Sequence, residues 1–331
     1  MFIDDAYAHL YALCQSGLGK TSPNPNVAAA IYAADGKLIS HGIHDRTSSL
    51  DHAEVVAIKA ARELACGATI VISLEPCSHT GTTPPCTEAI ITAGIAKVIY
   101  AVKDPNPIAA GGGEILKSAG IDVEFVLSNN LEFIQRAWLH KVRMNRPRFI
   151  WKVATTLDGK VAASDGTSQW ITSEESRSDV QLLRSQSDAI LVGTSTALID
   201  NPHLIPRGYD QRPVRVIFGE REIPSTNKVF DNQAPTLVVK SRSIPELVKT
   251  LSDEGLNQVL VEAGPTLGSE LFREGIIDEL ITYQAPKLLG SGTSFLSDLG
   301  VKTLADAWNL ELISSEQIKQ DIKSHYLVKG K

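Results

Sequence analysis

Helical patterns alternate with short apolar runs along the whole chain, and this alternation constrains the possible fold more than any other feature. Residues 4–18 and DHAEVVAIKAARELA (51–65) place apolar side chains at helical intervals. ATIVISLEPC (68–77) is an apolar, β-branched run typical of a buried strand, and TEAIITAGIAKVIYAV (87–102) predicts a helix that leads into another strand. This order predicts a layered α/β domain.

The alternation starts again near Asn145, after which FIWKVATTLDGKVA opens a second series of strands. Because 331 residues are too many for one small core, we expect two α/β domains, at 1–145 and 146–331. We expect turns at Asp35-Gly36 and Asp158-Gly159 and helices at 129–146, 173–186 and 266–275. The buried-strand candidates of the second half are DAILVG, VRVIFG, PTLVVK, QVLVEAG and ELITYQAP.

The composition is that of an ordinary globular protein, with 43% hydrophobic and 21% charged residues. A net charge of −6 gives no general attraction for nucleic acid, so an anionic substrate must be met by local arginines. No apolar window is long enough to span a membrane, and the acidic start MFIDDAYAHLYAL is unlike a signal peptide. We therefore expect a cytoplasmic protein with neither a membrane nor a nucleic-acid partner.

Four cysteines are too few for a disulfide framework in a chain of this length and indicate reduced thiols or metal ligands. His52-Ala53-Glu54, followed by Cys77 and Cys86, has the residue types of a catalytic zinc site, which uses three protein ligands and one water. We expect both cysteines at or just before helix N-termini, where the helix dipole favours thiolate. Glu54 lies two residues after a ligand, so it is expected to move protons rather than bind the metal.

This order of residues matches the H-x-E and P-C-x-x-C pattern of zinc deaminases, except that eight residues, SHTGTTPP, separate Cys77 from Cys86. A lone H-x-E arises often by chance, and a buried cysteine is often inert. A structural zinc closed by His44 or His79 is the alternative interpretation.

The chain resembles the bifunctional deaminase–reductases of riboflavin biosynthesis. The resemblance rests on PNPNV (23–27), HAEV (52–55), EPCSHTGTTPPC (75–86) and DPNP (104–107), and it continues through the second half in colinear order. There it rests on RPRFIWKVATTLDGKVAASDGTSQWIT (146–172), LLRSQSDAILVGTSTALIDNPHL (182–204) and VLVEAGPTLGSELF (259–272).

The resemblance implies two consecutive reactions. The first is the hydrolytic deamination of 2,5-diamino-6-(5-phosphoribosylamino)pyrimidin-4-one, and the second is the NADPH-dependent reduction of its ribosyl group to ribityl. It also implies a three-layer cytidine deaminase-like domain, a dihydrofolate reductase-like α/β domain, one zinc ion per chain, and a homo-oligomer (dimer or tetramer) assembled through the reductase domain.

Three positions depart from the family pattern: Ala28 replaces a usual glycine, 45–51 lacks an expected glycine and proline, and Thr82 stands where lysine is common. We expect these changes at the rim of the deaminase pocket, where they affect substrate affinity more than chemistry.

The second half contains no G-x-G-x-x-G after its first strand, so a standard dinucleotide fingerprint is absent. VLVEAGPTLGSELF instead predicts a strand, a glycine-containing turn and a helix whose N–H groups face a cofactor phosphate. The residues of this expected cradle are Gly264, Pro265, Thr266, Leu267, Gly268 and Ser269.

By resemblance, further residues of the second half contact ligands. The substrate-contacting positions are Ser168, Arg184, Leu204, Arg207 and Glu262, and those lining the cofactor are Ala154, Trp170, Thr196 and Asp200. Arg184 and Arg207 are natural phosphate clamps because guanidinium binds oxyanions bidentately. Lys152 interrupts an apolar strand, so we expect it to reach into the site. The alternatives are a core role for Trp170, a helix-surface position for Arg184 and a solvent-exposed edge position for Lys152.

Two other functions remain open from the residues alone. One is a single-activity nucleoside or tRNA deaminase with an unrelated C-terminal domain, against which the long Cys77–Cys86 spacing argues. The other is a zinc-stabilised binding protein with degenerate sites.

Overall fold

The computed structural model describes residues 2–81 and 83–329, so Thr82 lies outside the described residues. The chain divides into two compact units, Met1–Asn145 and Arg146–Lys331. Asn145 ends a helix in the left-handed conformation, with φ of 53°. This conformation stops the helix at the boundary between the units.

The first unit contains six helices and five strands within its described residues. The helices are α1 (Phe2–Gly17), α2 (Ala53–Ala61), α3 (Cys86–Thr92), α4 (Gly112–Ser118), α5 (Asn129–Ile134) and α6 (Arg136–Met144). The strands are β1 (Ala28–Tyr32), β2 (Leu38–Ile43), β3 (Thr69–Ile72), β4 (Lys97–Tyr100) and β5 (Asp122–Phe125). A short 3-10 helix, Arg62–Ala65, follows α2.

These strands form one sheet in the order β2-β1-β3-β4-β5, in which β1 is antiparallel to β2 and β3 while β3, β4 and β5 are parallel. Helices α2, α3 and α4 contact one another in succession, and α1 contacts α5. The expected turn at Asp35-Gly36 joins β1 to β2, and Gly36 has the positive φ of 83° that the turn requires. The result is a helix–sheet–helix sandwich with an apolar core.

The second unit contains four α-helices and ten strands within its described residues. The helices are α7 (Glu174–Ser185), α8 (Thr194–Asp200), α9 (Ile244–Asp253) and α10 (Pro265–Arg273). The strands are β6 (Arg148–Thr156), β7 (Lys160–Ala162), β8 (Ala189–Gly193), β9 (Val214–Phe218), β10 (Thr236–Val239), β11 (Gln258–Val261), β12 (Ile277–Ala285), β13 (Thr293–Ser294), β14 (Leu310–Ile318) and β15 (Asp321–Val328). Short 3-10 helices lie at Lys228–Phe230 and Leu304–Asp306.

Eight of these strands form one sheet in the order β10-β9-β8-β11-β6-β12-β15-β14. The first six are parallel, and β15 and β14 are added antiparallel. Alternate residues of β6 face opposite sides of the sheet: Phe149 and Trp151 join one core cluster, whereas Ile150 packs with Leu260 and Tyr283 in another. Lys152 therefore lies on the Ile150 side of an interior strand.

The α/β class expected for both halves is confirmed, with local differences. The helix expected at 129–146 is broken at Gln135, whose buried amide donates to Ser73 O and Leu131 O. Helices α8 and α9 and strands β13 to β15 were not expected from the sequence. Strand β14 (LELISSEQI) is exposed along nearly its whole length, so it lacks the apolar alternation of a half-buried strand.

Within the described ranges, no helix combines the length and apolar character needed to cross a membrane.

Candidate active sites

The structure brings together the three metal-ligand candidates of the first unit. His52 is the N-cap residue of α2, Cys86 is the first residue of α3, and Cys77 lies in the loop after β3. Their ligand atoms all lie within 4.8 Å of one another. His52 Nδ1 is 3.2 Å from Cys86 Sγ and 3.6 Å from Cys77 Sγ.

These residues fit a zinc ion in chemistry and in size. A tetrahedral site with zinc–ligand distances of about 2.0–2.3 Å has ligand–ligand separations of roughly 3.5 Å, close to those present. The hydrogen bonds with Cys86 and His52 lower the pKa of Cys77 to about 4, although burial opposes the shift. The loop position of Cys77 differs from the expected helix start, but its sulfur still accepts the N–H of Cys86, 3.3 Å away, at the N-terminus of α3.

Glu54 lies in the first turn of α2 and is 3% exposed. Burial raises the pKa of its carboxyl to about 6, and the neighbouring Cys77 contributes in the same direction. Glu54, His52 and Cys77 all line a cavity of about 310 Å³. A carboxyl group with a raised pKa beside this cavity suits a group that accepts a proton and gives it back.

The polar walls of this cavity include His44, Asn24 and Asp104. His44 Nε2 is 3.0 Å from Asn24 Nδ2, and His44 Nδ1 is 2.9 Å from Asp51 O. Both ring nitrogens are therefore engaged, which argues against His44 as a fourth metal ligand. Burial raises the pKa of Asp104 to about 6, so this wall carries a second carboxyl group that can be protonated near neutral pH.

Two of the three departures from the family pattern, at Ala28 and at residues 45–51, are not among the residues that line the cavity. Ala28 is fully buried in β1, where its N–H bonds Ser73 Oγ. None of residues 45–51 is among those lining the cavity, although Asp51 supplies the carbonyl that orients His44. The expectation that these two departures alter the pocket rim is wrong, because the first lies in the core and the second acts only through its neighbours.

The second unit contains a cleft of about 990 Å³ lined by residues from seven of its strands and α-helices and from the loops between them. The sequence-derived candidates that line it are Lys152, Ala154, Ser168, Trp170, Arg184, Thr196, Asp200, Leu204, Arg207, Glu262, Gly264 and Pro265. The alternative of Trp170 as a core residue is wrong, since Trp170 is 61% exposed.

Glu262, which directly follows β11, is the charged centre of this cleft. Its carboxylate accepts two hydrogen bonds from Arg184, at 2.6 Å from Nε and 2.9 Å from Nη2. Lys152 Nζ lies 3.4 Å from the same carboxylate. Burial alone would raise the pKa of Glu262, but Arg184 and Lys152 outweigh burial and lower it to about 2. Arg184, which was expected to clamp phosphate, forms this ion pair with Glu262 in the structure.

The expected phosphate cradle is shorter in the structure. Gly264 is the N-cap of α10, so the N–H of Gly268 already bonds Gly264 O within the helix. A Cβ at Gly268 would lie 2.1 Å from the ring of Trp151, which explains this glycine by packing. Ser269 is fully buried, and its hydroxyl accepts the N–H of Ser297. The N–H groups of Thr266 and Leu267 remain as the first free donors of α10.

Sequence reasoning missed several polar residues of the cleft, among them Arg177, Gln181 and Tyr283. Arg177, Gln181 and Arg184 follow one another at i, i+4 and i+7 on α7, a spacing that places them on one helix face. That spacing was visible in the predicted helix 173–186. Tyr283 has no such signal, because its position depends on the pairing of β12 with β6.

The first unit has a His/Cys/Cys site that fits a zinc ion, beside a buried carboxyl group. The second α/β unit has a cleft with cationic walls. Together these features define a zinc deaminase joined to a second enzyme. Family comparisons give the same two classes. Residues 3–102 match the family model of the cytidine and deoxycytidylate deaminase zinc-binding region, and residues 147–324 match that of the RibD C-terminal domain.

The chain is 41% identical over 315 residues to the riboflavin biosynthesis protein RibD of Mycobacterium tuberculosis, which covers 92% of this chain and 91% of the relative. It is 37% identical to RibD of Escherichia coli, over 97% of this chain and 98% of the relative. The chain therefore belongs to the RibD family of bifunctional riboflavin biosynthesis proteins, with a zinc-binding deaminase region and an NADPH-dependent reductase domain. A single-activity deaminase with an unrelated C-terminal domain is not favoured.

Solved structures agree over the full length. RibD of Acinetobacter baumannii (form 1) superposes with a TM-score of 0.91 at 35% identity and covers 100% of both chains. The diaminohydroxyphosphoribosylaminopyrimidine deaminase/5-amino-6-(5-phosphoribosylamino)uracil reductase of Thermotoga maritima superposes with a TM-score of 0.88 at 32% identity, over 97% of both chains. The cytidine deaminase-like and dihydrofolate reductase-like domains expected from the resemblance are confirmed.

Proposed function

We propose that this chain deaminates 2,5-diamino-6-(5-phosphoribosylamino)pyrimidin-4-one and then reduces the ribosyl group of the product to ribityl. The proposal rests on one observation: the same chain contains a His/Cys/Cys site that fits a metal ion beside a buried glutamate, and a cationic reductase cleft. We assign the deaminase step to residues 1–145 and the reductase step to residues 146–331.

In the first step, His52, Cys77 and Cys86 hold the zinc ion. Zinc, when bound, supplies Lewis-acid activation of a water molecule near neutral pH. Glu54 takes a proton from this water, and the water oxygen bonds to carbon 2 of the pyrimidine. The Glu54 carboxyl then passes the proton to the 2-amino group, so that the carbon–nitrogen bond breaks and ammonia leaves. The remaining hydroxyl proton moves to a ring nitrogen as carbon 2 becomes a carbonyl. Its burial and raised pKa suit both directions of this transfer.

In the second step, NADPH supplies the hydride. Ala154, Trp170, Thr196 and Asp200 line the cofactor, and the start of α10 from Gly264 to Leu267 faces one of its phosphates. The residues that contact the substrate are Ser168, Arg184, Leu204, Arg207 and Glu262. Arg184 also holds the Glu262 carboxylate in place. Reduction adds hydride to C1′ of the ribosyl group and breaks the bond between C1′ and the ring oxygen. This oxygen takes up one proton, which the ammonium group of Lys152, beside Glu262, supplies.

We further propose that the chain forms a homo-oligomer, a dimer or tetramer, through the reductase unit. Strand β14 lies at the edge of the eight-stranded sheet and exposes Leu310, Leu312 and Ile313. An exposed edge strand with apolar side chains is a natural surface for a second copy. We propose a cytoplasmic enzyme that acts on a small phosphorylated pyrimidine and not on nucleic acid.

The direct test supplies purified enzyme with the diaminopyrimidine, zinc and NADPH, and follows ammonia and NADPH separately. We expect ammonia release first and NADPH oxidation second. Glu54→Gln should reduce the rate of ammonia release by about 10²–10⁴-fold, while zinc content and folding stay unchanged. Ammonia release without any NADPH oxidation would disprove the reductase half, and an unchanged rate in Glu54→Gln would remove Glu54 from the mechanism.

A further inference from the structure

Asp321 is a buried acidic residue of the reductase unit that the reaction described above does not use. It is the first residue of β15 and is 0% exposed. Among the described residues, those that line the cleft do not include Asp321. Its Oδ2 accepts three hydrogen bonds: from Ser173 N at 2.7 Å, from Ser173 Oγ at 2.7 Å and from Ser176 Oγ at 2.6 Å. Because Ser173 is the N-cap of α7, Asp321 joins β15 to the start of this helix.

The contacts of Asp321 keep it ionised. Burial acts to raise the pKa of its carboxyl, but the hydrogen bonds from Ser176 and Ser173, with Lys287 nearby, outweigh burial and hold the pKa below its usual range. A buried charge is costly to separate from its partners, and a negative charge is favoured at a helix N-terminus. Asp321 therefore fixes the first turn of α7 more firmly than the cap within the helix, from Ser176 N to Ser173 Oγ at 3.3 Å, would do alone.

The first turn of α7 in turn supports Trp170. Arg177 Nη1 donates to Thr172 O at 2.7 Å, and the guanidinium of Arg177 stacks on the ring of Trp170, with Cζ 4.4 Å from the ring centroid. Lys287 Nζ donates to Trp170 O at 2.9 Å. Because the side chain of Trp170 is exposed, packing alone does not hold it, and its position depends on these contacts.

We propose that Asp321 is a positioning residue for the reductase reaction: it holds the start of α7 so that Trp170 is presented to NADPH. This inference rests on the proposed function, in which Trp170 lines the cofactor. Asp321 acts through Ser173, Ser176 and the first turn of α7 rather than by contact with a ligand. The effect on the reaction is expected to be large, because a displacement of about 1 Å at a group that orients a reactant can cost about 100-fold in rate.

A second contact between α7 and the β14–β15 hairpin allows a comparison. Lys319, in the turn between the two strands, forms an ion pair with Glu175 of α7, with Nζ 2.7 Å from Oε1. Both side chains are exposed, and exposed ion pairs contribute little to stability. Asp321, which is buried and accepts three hydrogen bonds, is therefore the contact that we expect to hold the helix.

The test measures KM for NADPH in the reductase reaction, and Kd for NADPH by fluorescence titration, in Asp321→Ala and Asp321→Asn. Ala removes the acceptor, whereas the amide oxygen of Asn can still accept hydrogen bonds from Ser173 and Ser176. We expect Asp321→Ala to raise KM and Kd about 10-fold and Asp321→Asn to raise them less than about 3-fold. Both constants report on the folded protein, so a smaller folded fraction lowers the apparent kcat without changing either of them.

Two control variants lose contacts of the same kinds. Ser243→Ala removes the N-cap that accepts the N–H of Glu246 in α9, none of whose described residues lines the cleft. Lys319→Met removes the exposed ion pair with Glu175. Both variants should leave KM and Kd for NADPH unchanged. A rise in Ser243→Ala equal to that in Asp321→Ala would show that any loss of helix stability has this effect, and it would overturn the proposal.

Ser176→Ala keeps the proposal testable if Asp321→Ala does not fold. This variant removes one of the three hydrogen bonds to Asp321 Oδ2, so we expect it to raise KM and Kd for NADPH about 3-fold. Unchanged constants in Ser176→Ala, or in a folded Asp321→Ala, would overturn the proposal.

Hydrogen exchange separates this inference from the function as a whole. In protein without cofactor, the amides of residues 172–177 should exchange about 10-fold faster in Asp321→Ala than in wild type, while those of 244–249 in α9 should not change. This result, with a weakened Kd for NADPH, would support the inference even if wild type oxidised no NADPH, in which case the proposed function alone would fail. Unchanged exchange at 172–177 would overturn the inference.

Discussion

In the deaminase unit, the two most distant metal ligands, His52 and Cys86, are 34 residues apart in the chain, and both lie at the start of a helix. In the reductase unit, Arg184 and Glu262 are 78 residues apart, and they meet only because α7 packs beside the end of β11. The first site comes from one short stretch of the chain, whose residue types are those of zinc ligands. The second is built by convergence of charged side chains from several elements.

This difference affects what each site tolerates. A metal site loses its function when one ligand is removed, because the remaining donors do not complete the coordination shell. A cleft based on ion pairs loses function gradually, because each charge contributes separately. Each removal still has a cost, since it leaves a buried partner charge unpaired. Substitutions in each unit can show whether the two sites differ in this way and whether they work independently.

The largest effect is expected for Cys77→Ala. Loss of one zinc ligand should reduce ammonia release by about 10³-fold or more, because the water is no longer activated. Zinc content measured by atomic absorption should fall in parallel. NADPH oxidation with the deaminated substrate should remain at the wild-type rate.

Cys66→Ala is the matched control, since Cys66 is a free, exposed cysteine of the same unit. It should keep full zinc content and both activities. Loss of reductase activity in Cys77→Ala would contradict the independence of the two sites.

A smaller effect is expected for Glu262→Gln. The substitution keeps the size of the side chain but leaves Arg184 and Lys152 without their shared negative partner. We expect kcat/KM of the reductase to fall about 100-fold, in the range for loss of a charge-assisted contact in a site. Ammonia release should not change.

Glu220→Gln is the control, because Glu220 forms an exposed ion pair with Arg242. Exposed pairs contribute about 0–1 kcal/mol, so neither activity should respond. If Glu262→Gln retained full reductase activity, the convergent charge cluster would have no catalytic importance.

The pH dependence of stability should also differ between wild type and Glu262→Gln. The pKa of Glu262 is lowered from 4.5 to about 2 in the folded protein. Its ionised form therefore stabilises the fold above about pH 4.5, and this contribution is lost as the pH falls toward 2. The expected size is about 3 kcal/mol, since each pKa unit corresponds to about 1.4 kcal/mol.

Thermal unfolding of the reductase unit, followed in both proteins between pH 7 and pH 2.5, measures this contribution. The stability advantage of wild type should be constant between pH 7 and 5 and should shrink below pH 4. An advantage that grew on acidification would show that the carboxyl group is protonated in the native state.

The smallest effect is expected for Gly268→Ala. An added Cβ would lie 2.1 Å from the Trp151 ring, so the helix or the ring must shift. Overpacking of this kind costs about 1–3 kcal/mol. Gly264→Ala, whose Cβ meets nothing within 4 Å, should leave the melting temperature nearly unchanged. Equal stability of the two variants would contradict the explanation of Gly268 by its packing against Trp151.

Much of the fold was predictable from local pattern, and the parts that were not have identifiable causes. The buried strands and the Asp35-Gly36 turn carry strong local signals. Strand β14 does not, because its side chains are exposed and its position depends on pairing with β15. The break at Gln135 likewise depends on a hydrogen bond to Ser73, which is distant in the chain.

The sequence by itself determined the zinc chemistry, since His52, Glu54, Cys77 and Cys86 carry specific donor types in a fixed order. It also indicated many, though not all, of the residues that line the reductase cleft. Only the tertiary structure decided how the residues are used: Arg184 pairs with Glu262, Gly268 packs against Trp151, and Arg177, which sequence reasoning missed, stacks on the ring of Trp170. The physical reason is that ion pairing and close packing depend on distances between side chains that are far apart in the chain.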